Sequence, residues 1–132
     1  MANVLYPLGK KALLDGDVPF DSGTIKAALI DTGTVSYNAA HDFYNDISAG
    51  VVGTPVALGS KTTTAGAFDS ADVTWTSVSG NTVEAIVLYL DTGNVATSIL
   101  IAWYDTGITG LPLTPNGGDV TYTVHASGWF AL

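Results

Sequence analysis

The chain has 132 residues, 12 of them acidic and 4 basic, giving a net charge of −8, and it has no cysteine. That length suits one domain with a core of its own, and the missing cysteines exclude a disulfide framework, a thiolate metal site and a cysteine nucleophile. All the basic residues are lysines (Lys10, Lys11, Lys26, Lys61), and without arginine or a basic cluster the composition argues against a nucleic-acid partner.

Charge is also sparse. Only 12% of the residues are charged, against about 25% in an ordinary soluble domain, and mean hydropathy is +0.34. No apolar run approaches the roughly 20 residues of a membrane helix, so no membrane partner is expected. The apolar surplus must be buried in a β core, in a subunit interface, or in both. The first residues do not read as a secretion signal, because Lys10 and Lys11 lie in the middle of the segment and Pro7 and Gly9 interrupt its apolar residues.

In chain order, residues 1–23 read as an N-terminal arm. Val4, Leu5, Leu8, Ala12 and Leu13 have loose helical spacing, which predicts a short helix over residues 7–14 stopped by Asp15-Gly16. Pro7 is tolerated in a first helical turn. The domain proper, residues 24–132, opens with a strand from Thr24 to Asp31, with Val35-Ser36-Tyr37 as a short continuation. Ala39 to Ile47 is a second helical candidate, since His41, Phe43, Tyr44 and Ile47 share helical spacings and Gly50 can end the segment.

From Val51 onward the chain reads as β. The expected strands are Thr54–Leu58, Lys61–Thr64, Asp72–Val78, Thr82–Leu90, Ser98–Tyr104, Asp119–His125 and Gly128–Ala131. Along Asp72–Val78, Val73, Trp75 and Ser77 are expected on one face and Thr74, Thr76 and Val78 on the other. Thr82–Leu90 is nearly continuous apolar after Glu84, which predicts a central strand buried on both faces or against a subunit. Ser79-Gly80-Asn81 reads as a hairpin-sized loop, and Asn116-Gly117-Gly118-Asp119 as a turn. Leu111 to Pro115 is expected to be extended, because each proline removes a ladder donor. Many short strands with few helices predict a mainly β fold: an antiparallel, jelly-roll-like β-sandwich with one or two short helices near the N-terminus.

The tripeptide Asp-Thr-Gly occurs three times, at Asp31, Asp91 and Asp105, each time after an apolar run. One copy suggests the active-site turn of an aspartic protease, and Ala28-Leu29-Ile30-Asp31-Thr32-Gly33 offers a dimeric enzyme using Asp31. Three copies suggest a strand-ending turn, in which Asp accepts bonds from backbone amides and Gly supplies a positive φ. Small Ala or Ser usually follows the Gly in the proteases, whereas Thr34, Asn94 and Ile108 follow here.

No other pattern supplies a catalytic or metal site. His41 and His125 are 84 positions apart and form no zinc-type pair, although Asp42 and Asp46 flank the first. No Gly-x-Ser-x-Gly elbow or phosphate-cradling loop is present. Asp15-Gly16-Asp17 and Asp69 with Asp72 do not fit calcium-loop spacing. Neither catalytic, cofactor-binding nor metal-binding residues are therefore assigned. The aromatic residues suit core and cross-strand packing, and a glycan-binding platform would require some of them to be exposed.

Four stretches resemble small virion structural proteins of tailed bacteriophages: His41 to Gly50, Asp72 to Gly80, Val83 to Gly93 and Gly110 to Asp119. With the N-terminal segment they cover most of the chain. The resemblance implies a β-sandwich without catalytic residues or cofactors. Its implied role is capsid decoration, or cement: binding the major capsid protein as a dimer or trimer on the virion surface, after synthesis in the host cytoplasm. A tail or fibre component is the variant within that class. Pro7 departs from the pattern, in a segment otherwise drawn as helix. The apolar C-terminal residues Trp129-Phe130-Ala131-Leu132 are expected to dock in a sheet or an interface.

Overall fold

The computed structural model describes residues 3–132. The fold is mainly β and antiparallel, as expected. Strand β1 (Val4–Leu5) leads into helix α1 (Pro7–Leu14). Then come β2 (Thr24–Ile30), β3 (Val51–Ala57), β4 (Ala67–Phe68), β5 (Val73–Trp75), β6 (Ala85–Asp91), β7 (Ile99–Tyr104), β8 (Val120–Tyr122) and β9 (Phe130–Ala131). Five strands form one sheet in the order β1-β7-β6-β2-β3, while β4 with β9 and β5 with β8 make two-stranded ribbons.

The central strands decide the architecture. All of β6 from Ala85 to Leu90 is buried, and β2 and β7 are buried over most of their length. A strand without a polar face must be covered twice. One face, carrying Ile25, Ala27, Leu29, Ile86, Leu88 and Leu90, packs against the ribbons through Phe68, Val73, Trp75 and Trp129. The other, carrying Ala28, Ile30, Ala85, Val87, Tyr89 and Leu100, is closed by Tyr6 and Ile47, with Tyr37 and Tyr44 beside them. The result is sandwich-like: one sheet between a layer of ribbons and a layer of loop.

Two bulges shape the sheet. In the β6–β7 ladder Leu88 pairs with Ala102 and Tyr89 with Leu100, so Ile101 is the extra residue. Helix α1 lies over that point. A Cβ on Gly9 would stand 2.4 Å from the Leu100 carbonyl oxygen, so only glycine lets the helix approach this closely. The Tyr6 amide donates to the Ile101 carbonyl at 2.9 Å. In the β2–β3 ladder Ala27 pairs with Val56 and Leu29 with Val52, so the residues from Gly53 to Pro55 face Ala28 alone. There the Trp75 indole N–H donates to the Ala27 carbonyl at 3.0 Å, from a buried position.

The N-terminal segment is docked on its own sheet, β1 pairing with β7 through Val4–Trp103 and Leu5–Ala102. The helix expected over 7–14 is present, with Pro7 in its first turn, and the Asp15 amide bonds to the Lys11 carbonyl at its end. The C-terminal apolar run docks as expected. β9 pairs with β4, the Tyr104 hydroxyl donates to the Trp129 carbonyl at 2.8 Å, and the Trp129 indole donates to Ser70 Oγ at 2.8 Å.

Several local expectations need correction. Residues 39–47 form no α-helix. They contain an extended Phe43 bridged to Ile99 and a short 3₁₀ turn at Tyr44–Asp46, and a second such turn follows at Ser48–Gly50. Bonds to β7 and the residue before it override the helical spacing: the Leu100 amide donates to the Asp42 carbonyl and the Tyr44 amide to the Ser98 carbonyl. Val35 to Tyr37 is not a strand. Lys61–Thr64 reduces to a single bridge, Thr62 with Asp69, followed by a 3₁₀ turn at Thr64–Gly66. Ser77 has a φ of 50°, which reverses the alternation so that Val78 is buried and Ser77 exposed. Ser79 to Asn81 is no hairpin, because β5 pairs with β8 while β6 joins the large sheet.

The Gly9 contact yields a measurable expectation. Gly9→Ala should destabilise the fold by roughly 1–3 kcal/mol, because backbone rather than a flexible side chain blocks the methyl group. Lys10→Ala, on the exposed side of the same helix, should stay within about 0.5 kcal/mol. Urea denaturation compares the two, and equal midpoints would show that the helix does not bear on the bulge.

Candidate functional site

The three Asp-Thr-Gly turns are strand-ending devices with individual wiring. Asp31 Oδ1 accepts the Gly33 amide at 2.9 Å, and its Oδ2 accepts the Thr34 hydroxyl at 2.7 Å and the Asn81 amide at 3.0 Å. Asp91 Oδ1 accepts the Gly93 amide at 2.9 Å, while Oδ2 pairs with Lys26 Nζ at 2.8 Å. Asp105 Oδ2 accepts the Trp103 indole N–H at 2.9 Å and Oδ1 the Thr106 hydroxyl at 2.9 Å. Gly93 and Gly107 have φ values of 83° and 69°. Gly33 is the exception, since its φ is not positive and that turn relies on the Asp31 carboxylate instead.

Topology separates the three carboxylates within the chain. Asp91 lies opposite Thr24, at the start of β2, whereas Asp31 follows its end; seven residues of strand put about 20 Å between them. Asp105 shares an end with Asp31, but β6 intervenes, so their strands run about 10 Å apart. A proton-sharing dyad needs about 3 Å. The Thr34 hydroxyl, then the Gly33 amide and Asn81, hold the Asp31 carboxyl below the usual range. A carboxylate stabilised in this way stays ionised and is a weak base, unlike the proton-holding member of such a dyad.

His41 and His125 sit on different parts of the surface. His125 is exposed and its Nδ1 accepts the Ser127 amide at 3.0 Å. His41 is half-buried, and its Nδ1, like the Tyr6 hydroxyl, is enclosed without a hydrogen-bond partner among the described residues. Beside His41, Asp46 Oδ2 accepts the amides of Asp42 at 2.9 Å and Phe43 at 3.3 Å. The two carboxyls abut. Partial burial, then the Asp46 carboxylate, push Asp42 up, while the Asp42 amide first of all holds Asp46 down. Among the described residues no three His, Asp or Glu side chains converge as metal ligands. The acidic loops have local work: Asp69 Oδ1 accepts the Ser70 amide and Asp72 Oδ1 the Val124 amide.

Among the concavities of the surface, two that are lined largely by apolar side chains are candidate interaction sites. An apolar cleft of about 190 Å³ opens between the β5–β8 ribbon and the loop after β7, with Leu29, Trp75 and Ile86 at its base and Leu111, Leu113 and Tyr122 among its walls. A groove of about 250 Å³ runs beside α1, lined by Leu8, Ala12, Phe43 and Ile99 with Asp15, Asp17 and Asp42 around it. Sequence reasoning assigned neither, because each collects residues from separated parts of the chain. Among the described residues no helix is long and apolar enough to cross a membrane. No protein-family model matches the chain, and no curated protein matches its sequence.

Acid stability tests the wiring of the turns. Asp91 is held below the usual carboxylate range, chiefly by Lys26 and then by the Gly93 amide. A depressed folded pKa contributes stability above the unfolded value of about 3.9 and loses it as pH falls through the folded value. Asp91→Asn should therefore cost up to about 1 kcal/mol at pH 7 and close to nothing near pH 2. Denaturation midpoints at the two pH values check this, and a cost independent of pH would refute the ionic origin.

Proposed function

We propose that this chain is a non-enzymatic structural protein of a bacteriophage virion, a capsid decoration protein that binds the major capsid protein shell and stabilises it. The observation that carries the reading is the combination of a closed core with a charge-poor surface. Both faces of the central sheet are covered, yet Leu8, Leu14, Val95 and Leu132 remain exposed, Leu14 to 88% and Leu132 to 78%. The resemblance of His41–Gly50, Asp72–Gly80, Val83–Gly93 and Gly110–Asp119 to small virion proteins supports it. So do the Asp-Thr-Gly turns, whose carboxylates are engaged in holding strand ends.

Such a protein works by contact area. Apolar patches buried across the joints between shell subunits resist separation through many weak interactions, and a symmetric oligomer multiplies them. With no arginine in the chain, apolar and backbone contacts outweigh bidentate ion pairs. A dimer or trimer seated on the outer capsid surface is the form proposed.

The test is a reconstruction of the native particle together with protein mass spectrometry of purified heads and tails. Copies bound at regular positions on the head support decoration. Copies confined to the tail replace it with the tail or fibre variant, and absence from both ends the proposal.

A further inference from the structure

Helix α1 and the segment around Phe43 meet at the same edge of the large sheet. Gly9 lets the helix settle on Leu100 and Ile101. Phe43 bridges to Ile99, and the Asp42 carbonyl accepts the Leu100 amide at 2.9 Å. Between them lies the groove of about 250 Å³. Its apolar lining comes from Leu8, Ala12, Phe43 and Ile99, and its acidic side chains are Asp15, Asp17 and Asp42.

The groove carries more negative charge than the chain itself answers. Its single cation, Lys11, is engaged by Asp15 at 2.5 Å in an i,i+4 pair. Asp17 and Asp42 have no ion-pair partner among the described residues. Lys26 is paired with Asp91, and Lys61 donates to the Gly23 carbonyl. Asp42 also abuts the Asp46 carboxyl, an arrangement that an approaching cation relieves.

We infer that this groove docks a lysine or arginine side chain presented by a partner protein. The aliphatic stem lies along Leu8, Ala12, Phe43 and Ile99, and the cationic head meets the acidic rim at Asp17 and Asp42. Long basic side chains bury their stems on apolar surface while keeping the charge in a polar setting, and this lining supplies both halves. The net charge of −8 steers the whole molecule toward a basic surface. A divalent metal is the weaker occupant, because no three ligating side chains converge among the described residues. The inference does not rest on the virion reading: it is tested in solution, and either can fail while the other stands.

The experiment is a titration of the ¹⁵N-labelled full chain, followed by amide chemical shifts. The probe is a blocked tripeptide with lysine between two leucines, and the control replaces lysine with norleucine, which keeps the stem and removes the charge. The expected result is shifts at Leu8, Ala12, Phe43 and Ile99, with the norleucine peptide at least about tenfold weaker and binding reduced at high salt. The double variant Asp17→Asn with Asp42→Asn should lose the preference for lysine while keeping the wild-type melting temperature. Equal binding of the two peptides, shifts elsewhere, unchanged binding by the double variant, or no shifts at millimolar peptide would each overturn the proposal. Concentration-dependent shifts at the groove without peptide would overturn it too, in favour of a second copy of this chain as occupant.

Discussion

The structure depends on strand β6 having no polar side from Ala85 to Leu90. Burying each of its larger side chains stabilises the fold by about 1.5–3 kcal/mol, and that gain exists on both faces only if two layers cover them. The chain supplies those layers from segments that are themselves poor in regular structure. The ribbons and the C-terminal residues close one face, and residues 31–50 with Tyr6 close the other. Ordering such segments costs roughly 1–2 kcal/mol of backbone entropy per residue. Bonds to the sheet and to its connecting loop offset that cost: the Leu100 amide of β7 donates to the Asp42 carbonyl, and Asn45 and Tyr44 donate to the carbonyls of Val95 and Ser98 in the loop before β7.

Departures from a regular ladder are where the layers lock together. Ile101, the extra residue of β7, lies in the same core cluster as its neighbour Ala102, and the glycine of α1 fits over the disturbed backbone. Where β2 and β3 lose register, the Trp75 indole reaches the Ala27 carbonyl. The sandwich therefore has a tryptophan from the ribbon layer bonded directly to the backbone of the central sheet. An aromatic cluster of Tyr104, Trp129 and Tyr122, with ring centroids 5.4 Å and 5.3 Å apart, ties the C-terminal segment to the same layer.

How much of this was legible follows from how local each signal is. The long apolar strands β2, β6 and β7 were readable because continuous burial leaves a continuous apolar run. The ribbon strands are shorter than their sequence suggests, since Val- and Thr-rich stretches carry β preference beyond the few residues that actually pair. The segment 39–47 carries an ambiguous signal, because the spacing of His41, Phe43 and Tyr44 is the same whether their contacts are within a helix or with a neighbouring strand. The Asp-Thr-Gly turns were legible as turns, but the bonds of Asp31 to Asn81 and of Asp91 to Lys26 depend on topology. The groove beside α1 was invisible for the same reason, being assembled from residues near 8–17, 42–43 and 99.

The kink at Gly53–Pro55 has a consequence for association. β3 is one of the two outer strands of the large sheet, Gly53 turns it with a φ of 72°, and Pro55 has no N–H to offer. A neighbouring chain finds no even row of donors and acceptors on which to template another strand. Contacts made along this edge therefore fall to side chains rather than to the backbone.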